Sequence, residues 1–191
     1  MAGRVGEPDG DPPPYPPFEI LGTRRLYDSP WCGLRRDELR LPNGKAQEYH
    51  VVEIPDAVVV APFLPDGSIV MVWQHRHPHG GTHWEVPAGR IARGEEPAAA
   101  ATRELREETG YRAGELVALP GFYPINGISA HFAHAFAAYD CERVGAPELD
   151  ASERMVTRVL SRARVERMLR EGSIRDGFTR LALREAFAHA R

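Results

Sequence analysis

Cysteine is nearly missing from this chain of 191 residues: Cys32 and Cys141 stand alone, with no CxxC pair. That excludes a disulfide framework and a cysteine zinc site, and it fits a reducing compartment. No run of about eighteen apolar residues occurs, so no membrane span is expected. The opening MAGRVGEPDG has no apolar core of the kind a signal peptide needs, which makes the cytoplasm the expected location. An excess of positive charge is missing too: 24 basic residues, of which only Lys45 is lysine, face 27 acidic ones, for a net charge of -3. A general nucleic-acid binder is therefore not expected. The length suits one domain, with or without an appendage, and is sufficient to bury a core.

What the chain does carry is concentrated between Gly89 and Tyr111, GRIARGEEPAAAATRELREETGY. Pro97 sits where the first turn of a helix tolerates a missing N–H, and Glu95 and Glu96 precede it at the positive end of the dipole. Ala98 to Ala101 are strong helix formers, and Gly110 supplies a left-handed stop. The predicted unit is loop, helix, turn. Glu104, Glu107 and Glu108 then fall at i, i+3 and i+4, which stacks three carboxylates on one helix face. Their repulsion costs a few tenths of a kcal/mol per pair, roughly, so either water solvates them or a divalent cation neutralises them. Hard oxygen ligands of this kind suit Mg2+, with Mn2+ as the alternative. Leu105 is predicted to face the core, and Arg103 to pair back to Glu95 and hold the loop on the helix.

The rest divides into a proline-rich tail over 1–17, a β extension over 18–56 and a main domain over 57–191. The tail should be extended or disordered. In the extension, the turn Pro42 to Lys45 contains Asn43-Gly44, a hairpin signal. DAVVVAPFL and SIVMVWQHR, parted by Pro65-Asp66-Gly67, read as central strands covered on both faces. Arg76 ends the second of them beside Gly80-Gly81 and is a candidate diphosphate clamp through bidentate contacts. His75, His77, His79 and His83 have alternating spacing that could ligate zinc on a strand, but Pro78 and the two glycines break the strand there, so they read as a loop or substrate rim. Near the C-terminus, Ser161 caps a helix with Val165, Met168 and Leu169 inward. Thr179 starts another, with Leu181, Leu183 and Phe187 inward.

Gly89, Glu95, Arg103, Glu104, Leu105, Glu107, Glu108 and Gly110 follow the order G-x5-E-x7-R-E-U-x-E-E-x-G-U, where U is a large aliphatic residue. This resembles the signature of the Nudix hydrolases at every fixed position; Tyr111 alone departs, in the last aliphatic slot. The resemblance implies an α/β fold, the Nudix α/β/α sandwich with a mixed sheet, and an N-terminal antiparallel β extension like that of the ADP-ribose pyrophosphatase branch. There the extension pairs two subunits, so a homodimer is expected. The resemblance makes Glu104, Glu108 and the backbone carbonyl of Ala88 metal ligands, with Glu107 assisting directly or through water. Arg103, Glu107 and Glu108 become catalytic candidates. Glu153, in the acidic loop APELDASER, is the candidate for orienting the attacking water, with Glu148 and Asp150 as rivals. Trp31 and Tyr49 fall where such enzymes sandwich adenine, and Arg76 and Glu85 where they contact substrate. The expected reaction is Mg2+-dependent hydrolysis of a small-molecule nucleoside diphosphate linked to another moiety, with ADP-ribose to AMP and ribose 5-phosphate preferred. Asn126 stands where that branch carries a proline, which leaves another nucleoside diphosphate sugar open. A Nudix-like module that senses ADP-ribose without cutting it is the reading from a different class.

Overall fold

The computed structural model describes residue 11 and residues 13–189. Part of the tail expected over 1–17, residues 1–10 and 12, lies outside the described residues; residues 11 and 13–17 are exposed and without regular structure. In chain order the strands and helices are β1 (Glu19–Asp28), β2 (Gly33–Arg40), β3 (Ala46–Glu53), β4 (Ala57–Pro62), β5 (Ile69–Arg76), β6 (Gly81–Glu85), β7 (Ala88–Arg90) and α1 (Pro97–Thr109). They continue as β8 (Tyr111–Arg112), β9 (Glu115–Phe122), β10 (Ala133–Tyr139), β11 (Glu142–Arg143), β12 (Met155–Leu160), α2 (Arg162–Arg170) and α3 (Gly177–His189).

β1, β2 and β3 form an antiparallel sheet in that order. Asn43-Gly44 turns β2 into β3 as its chemistry demands: Gly44 takes φ 78°, and Asn43 Oδ1 accepts the Lys45 N–H at 3.1 Å. This sheet touches the rest of the chain through the Val52 N–H, which donates to Ile128 O at 2.8 Å, and through Tyr49 and Trp31.

The main sheet runs β7-β4-β10-β9, with β4 parallel to β10 and the other pairs antiparallel. The unbroken apolar run of β4 is explained by what lies on its two faces. Val58 and Val60 meet Ala100, Ala101 and Leu105 of α1, whereas Val59 and Ala61 meet Val165 of α2 and Ala182 and Leu183 of α3. A strand covered on both sides has no solvent face to make polar, so alternation disappears. The result is a mixed sheet between helices, the expected sandwich. A second antiparallel sheet, β12-β5-β6, delivers Arg76 and Glu85 to one end of the first. Among the described residues no helix is long and apolar enough to cross a membrane.

α2 starts as expected, with Ser161 Oγ accepting the Arg164 N–H at 3.4 Å and Val165, Met168 and Leu169 buried. α3 starts two residues earlier than Thr179, because Asp176 is the better cap: its Oδ2 accepts the Thr179 N–H at 2.7 Å. The inward residues include Ala182, Leu183 and Ala186, while Leu181, about 200° round the helix from Leu183, is 41% exposed.

Candidate active site

The loop-helix unit over 89–110 builds the site. Pro97 opens α1 with no N–H to satisfy, and Gly110 closes it at φ 75°, its N–H donating to Arg106 O at 2.8 Å. The preceding loop is tied back by Glu95. Its carboxylate takes Arg103 Nε at 2.8 Å and Nη2 at 2.9 Å, and it also accepts the Ala92 N–H at 2.9 Å. The pairing read from the sequence is thus seen. Arg103 reaches further, donating Nη2 to Arg90 O at 3.0 Å and Nη1 to Glu104 at 2.6 Å and Glu107 at 3.1 Å. One guanidinium therefore joins loop, strand and carboxylate face.

The Arg103 hydrogen bonds, with the Ala92 N–H second, pull the Glu95 carboxyl from 4.5 down to about 2. A carboxyl depressed in the folded state contributes stability above its unfolded pKa and loses it as pH falls through the folded one. Between about pH 4.5 and pH 2 the wild-type protein should therefore lose stability that Glu95→Gln never had. Melting temperatures of both proteins across that window check this: the two curves should converge as the pH drops.

Glu104 and Glu108 shift the other way. Burial raises Glu104, opposed by Arg103. Glu108, only 4% exposed, is pushed well above the usual carboxylate range by burial and by Glu104 and Glu153 beside it. Its Oε2 accepts the Ala88 N–H at 3.1 Å, and it makes no ion pair among the described residues. Ala88, whose carbonyl is the expected ligand, meets Glu108 here through its amide. Gly89 lies against Glu104, and a Cβ there would fall on the Glu104 carboxyl group.

Glu108, Ala88, Arg76 and Glu153 line one cavity of about 580 Å³. Of the three acidic-loop candidates, Glu153 is the one on its wall; Glu148 is held outside by Arg106 at 2.8 Å, and Asp150 shares a turn with Glu153. Arg76 and Glu85, read separately in the sequence, are partners: Nη2 lies 2.6 Å from Glu85 Oε2, with Nε at 3.1 Å from Oε1. Glu85 is buried while the Arg76 side chain stays 41% exposed, so a guanidinium is held rigidly at the cavity edge.

Trp31 and Tyr49 are not brought into one cleft. Trp31, in the β1–β2 turn, is 68% exposed, with the Arg90 guanidinium 5.4 Å from its ring centre. Tyr49 donates its hydroxyl to Gly127 O and walls a cleft of about 430 Å³ with Tyr123 and Asn126. Asp176 and His131, which the sequence reading passed over, border a separate, smaller cavity that shares Arg76 and Ala88 with the active one. Asp176 carried a signal, an acid three residues ahead of Thr179; His131 carried none.

No three His, Cys, Asp or Glu side chains converge on a point among the described residues. Arg103 explains this, since its Nη1 holds Glu104 and Glu107 where a cation would draw them inward. The donor set nonetheless fits a hard divalent ion. Its side chains are all carboxylates, and they include a buried Glu108 that makes no ion pair among the described residues.

Residues 53–177 match the family described as NUDIX domain, and residues 18–52 match that described as nucleoside diphosphate sugar hydrolase N-terminal domain. The chain is 38% identical over 120 residues to the ADP-ribose pyrophosphatase of Bacillus subtilis (strain 168), covering 63% of this chain and 65% of that protein. It is 36% identical over 141 residues to the ADP-ribose pyrophosphatase of Mycobacterium tuberculosis, covering 73% and 68%. The match thus spans just under two thirds of the first relative and slightly more of the second. The fold superposes on a crystal structure of an ADP compounds hydrolase with a TM-score of 0.81, at 20% identity, covering 93% of this chain and 96% of that one. With the carboxylate helix, the sandwich and a family match over well over half its length, the chain belongs to the NUDIX family.

Proposed function

We propose that the protein is a divalent-cation-dependent hydrolase of nucleoside diphosphate sugars that splits ADP-ribose into AMP and ribose 5-phosphate. One observation carries the reading. The cavity that receives Glu108 and Glu153 on one side is edged by the fixed guanidinium of Arg76, so it offers an acidic wall for a cation and a basic edge for a diphosphate. The names of the relatives and the nucleoside diphosphate sugar hydrolase match over 18–52 support the substrate class.

Glu104, Glu107 and Glu108, with the backbone at Ala88, would hold Mg2+ or Mn2+. The chemistry supplied there by a bound cation would be charge neutralisation for a diphosphate and a lowered pKa for a water molecule. The chain's own groups do the rest. Arg76 presents planar N–H donors to a phosphate oxygen, and Glu85 keeps that plane from rotating. Glu153 offers a carboxylate on the cavity wall to orient a water molecule and accept its proton. Arg103 positions the carboxylates and the loop. Trp31 and Tyr49, each exposed, contact the nucleoside.

A second copy of the chain completes the molecule in this reading, and 18–56 is its dimerisation unit. β1 is an edge strand whose ten residues are all exposed, among them Ile20, Leu21, Leu26 and Tyr27. An edge this apolar pairs with another chain. The cytoplasm is the proposed location.

Incubation with a panel of nucleoside diphosphate compounds and Mg2+, with products identified, tests the reading. AMP and ribose 5-phosphate from ADP-ribose are expected, from a species of twice the chain mass by light scattering. Tight binding with no product would instead make the protein a sensor.

A further inference from the structure

Arg76 also borders a second cavity, of about 640 Å³, whose wall includes His79, His83, Arg175 and Asp176 but not Glu108. Arg76 lines both this cavity and the one that holds Glu108 and Glu153. A smaller one of about 300 Å³ shares Arg76, Glu85 and Asp176 and reaches Ala88 and Gly89. A molecule whose diphosphate lies at Arg76 therefore has somewhere to put each of its ends.

The chemistry of the walls narrows what that end can be. No Phe, Tyr or Trp lines the cavity, so a purine or pyrimidine would find nothing to stack on. Formal charge balances: Arg76 and Arg175 stand against Glu85 and Asp176, so no net field selects an anion. What remains is a wall that both donates and accepts hydrogen bonds. His79 Nδ1 and His83 Nε2 lie 3.4 Å apart, and among the described residues the other nitrogen of each ring has no partner. Among the same residues the Arg175 side chain has none either, and the Asp176 side chain uses only Oδ2, on the Thr179 N–H. A hydroxyl is the group that needs a donor and an acceptor together.

The backbone is fitted to this imidazole pair. A Cβ on Gly81 would stand 2.8 Å from His83 Nε2 and 3.0 Å from His79 Nδ1, so the rings close over a position that only a bare backbone leaves open.

We infer that the cavity between His79, His83, Arg175 and Asp176 receives the polyhydroxyl half of the substrate, the sugar that is not part of the nucleotide. This rests on the nucleoside diphosphate sugar reading and extends it by naming the residues that read the second half. The nucleoside's own ribose has the same chemistry, and product inhibition separates the two.

The test is inhibition of Mg2+-dependent ADP-ribose hydrolysis by ribose 5-phosphate and by AMP, in the wild type, in Arg175→Ala, in Gly81→Ala and in a His79→Ala, His83→Ala double variant. Loss of hydrogen bonds made alike in ground and transition states raises KM and leaves kcat alone. KM for ADP-ribose and Ki for ribose 5-phosphate should each rise about tenfold in the double variant, with Ki for AMP within about twofold of wild type. Arg175 is exposed and its loss threatens no core, so that variant reads the site even where His83→Ala destabilises the protein. A rise in Ki for AMP in place of that for ribose 5-phosphate would assign the cavity to the nucleotide and overturn the inference. Unchanged inhibition by both in Arg175→Ala and the double variant would overturn it too. A wild type that cleaves no nucleoside diphosphate sugar would remove the functional reading itself and the sugar assignment with it.

Discussion

Replacing Glu108 by glutamine should lower kcat for ADP-ribose by roughly 10²–10³-fold or more while raising the melting temperature of the cation-free protein. The two effects share one cause. Glu108 is buried, accepts a single hydrogen bond from Ala88, and stands near Glu104 and Glu153, with the Arg76 charge a smaller opposing influence and no ion pair among the described residues. An acid whose folded pKa lies above its unfolded one gains stability as pH falls and costs stability when ionised. Ionising Glu108 in the folded chain is therefore unfavourable, first because it is buried and then because Glu104 is beside it. Glutamine keeps the volume and a carbonyl oxygen for the Ala88 N–H while removing the ionisable group. The gain is on the order of 1 kcal/mol, or about 2–4 °C for a domain of this size. Adding Mg2+ should raise the wild-type melting temperature, because a ligand that binds only the folded state stabilises it. The variant should respond little. Thermal melts with and without Mg2+, run beside a rate assay, check all three; equal Mg2+ responses would count against Glu108 as a ligand.

Gly89→Ala should be nearly as damaging to activity and almost silent in stability. The new Cβ would coincide with the Glu104 carboxyl group, which is the far end of a flexible side chain and can swing away. Gly89 does not sit at positive φ, so alanine fits the backbone. Global stability should change by less than about 1 kcal/mol. Glu104, however, could no longer occupy its present place, and misplacing a catalytic group by about 1 Å costs on the order of 100-fold. The variant should also need more Mg2+ for half-maximal rate. A kcat within threefold of wild type, roughly, at the same Mg2+ concentration would mean that the close approach of Gly89 to Glu104 has no catalytic consequence.

The features legible in the sequence are those whose physics is local. Helical periodicity alone puts Glu104, Glu107 and Glu108 on one face, and Pro97 and Gly110 mark the ends of α1 by their backbone chemistry. The Glu95–Arg103 pair spans a short loop that ends in a helix, so its geometry is nearly forced. The uninterrupted apolar run of β4 told of a strand covered on both faces, and α1 with α2 and α3 supplies the covers. What was not legible depends on distant chain. Arg76 and Glu85 sit on neighbouring strands, and their pairing needs the β5–β6 register, which the His77–His79 turn sets. Trp31 and Tyr49 share a sheet in sequence logic, yet one lies over Arg90 and the other beside Tyr123, because each is placed by a different part of the catalytic domain. Leu181 was misplaced for a simpler reason: positions two apart lie about 200° apart round a helix, so Leu181 and Leu183 cannot both face the core.

The most direct test of the central claim, that gathered carboxylates and a divalent cation make this chain a diphosphate hydrolase, is AMP release from ADP-ribose as Mg2+ is titrated into chelator-stripped protein. The expected curve starts at no release and rises to saturation. Release that proceeds at full rate in excess chelator would contradict the account.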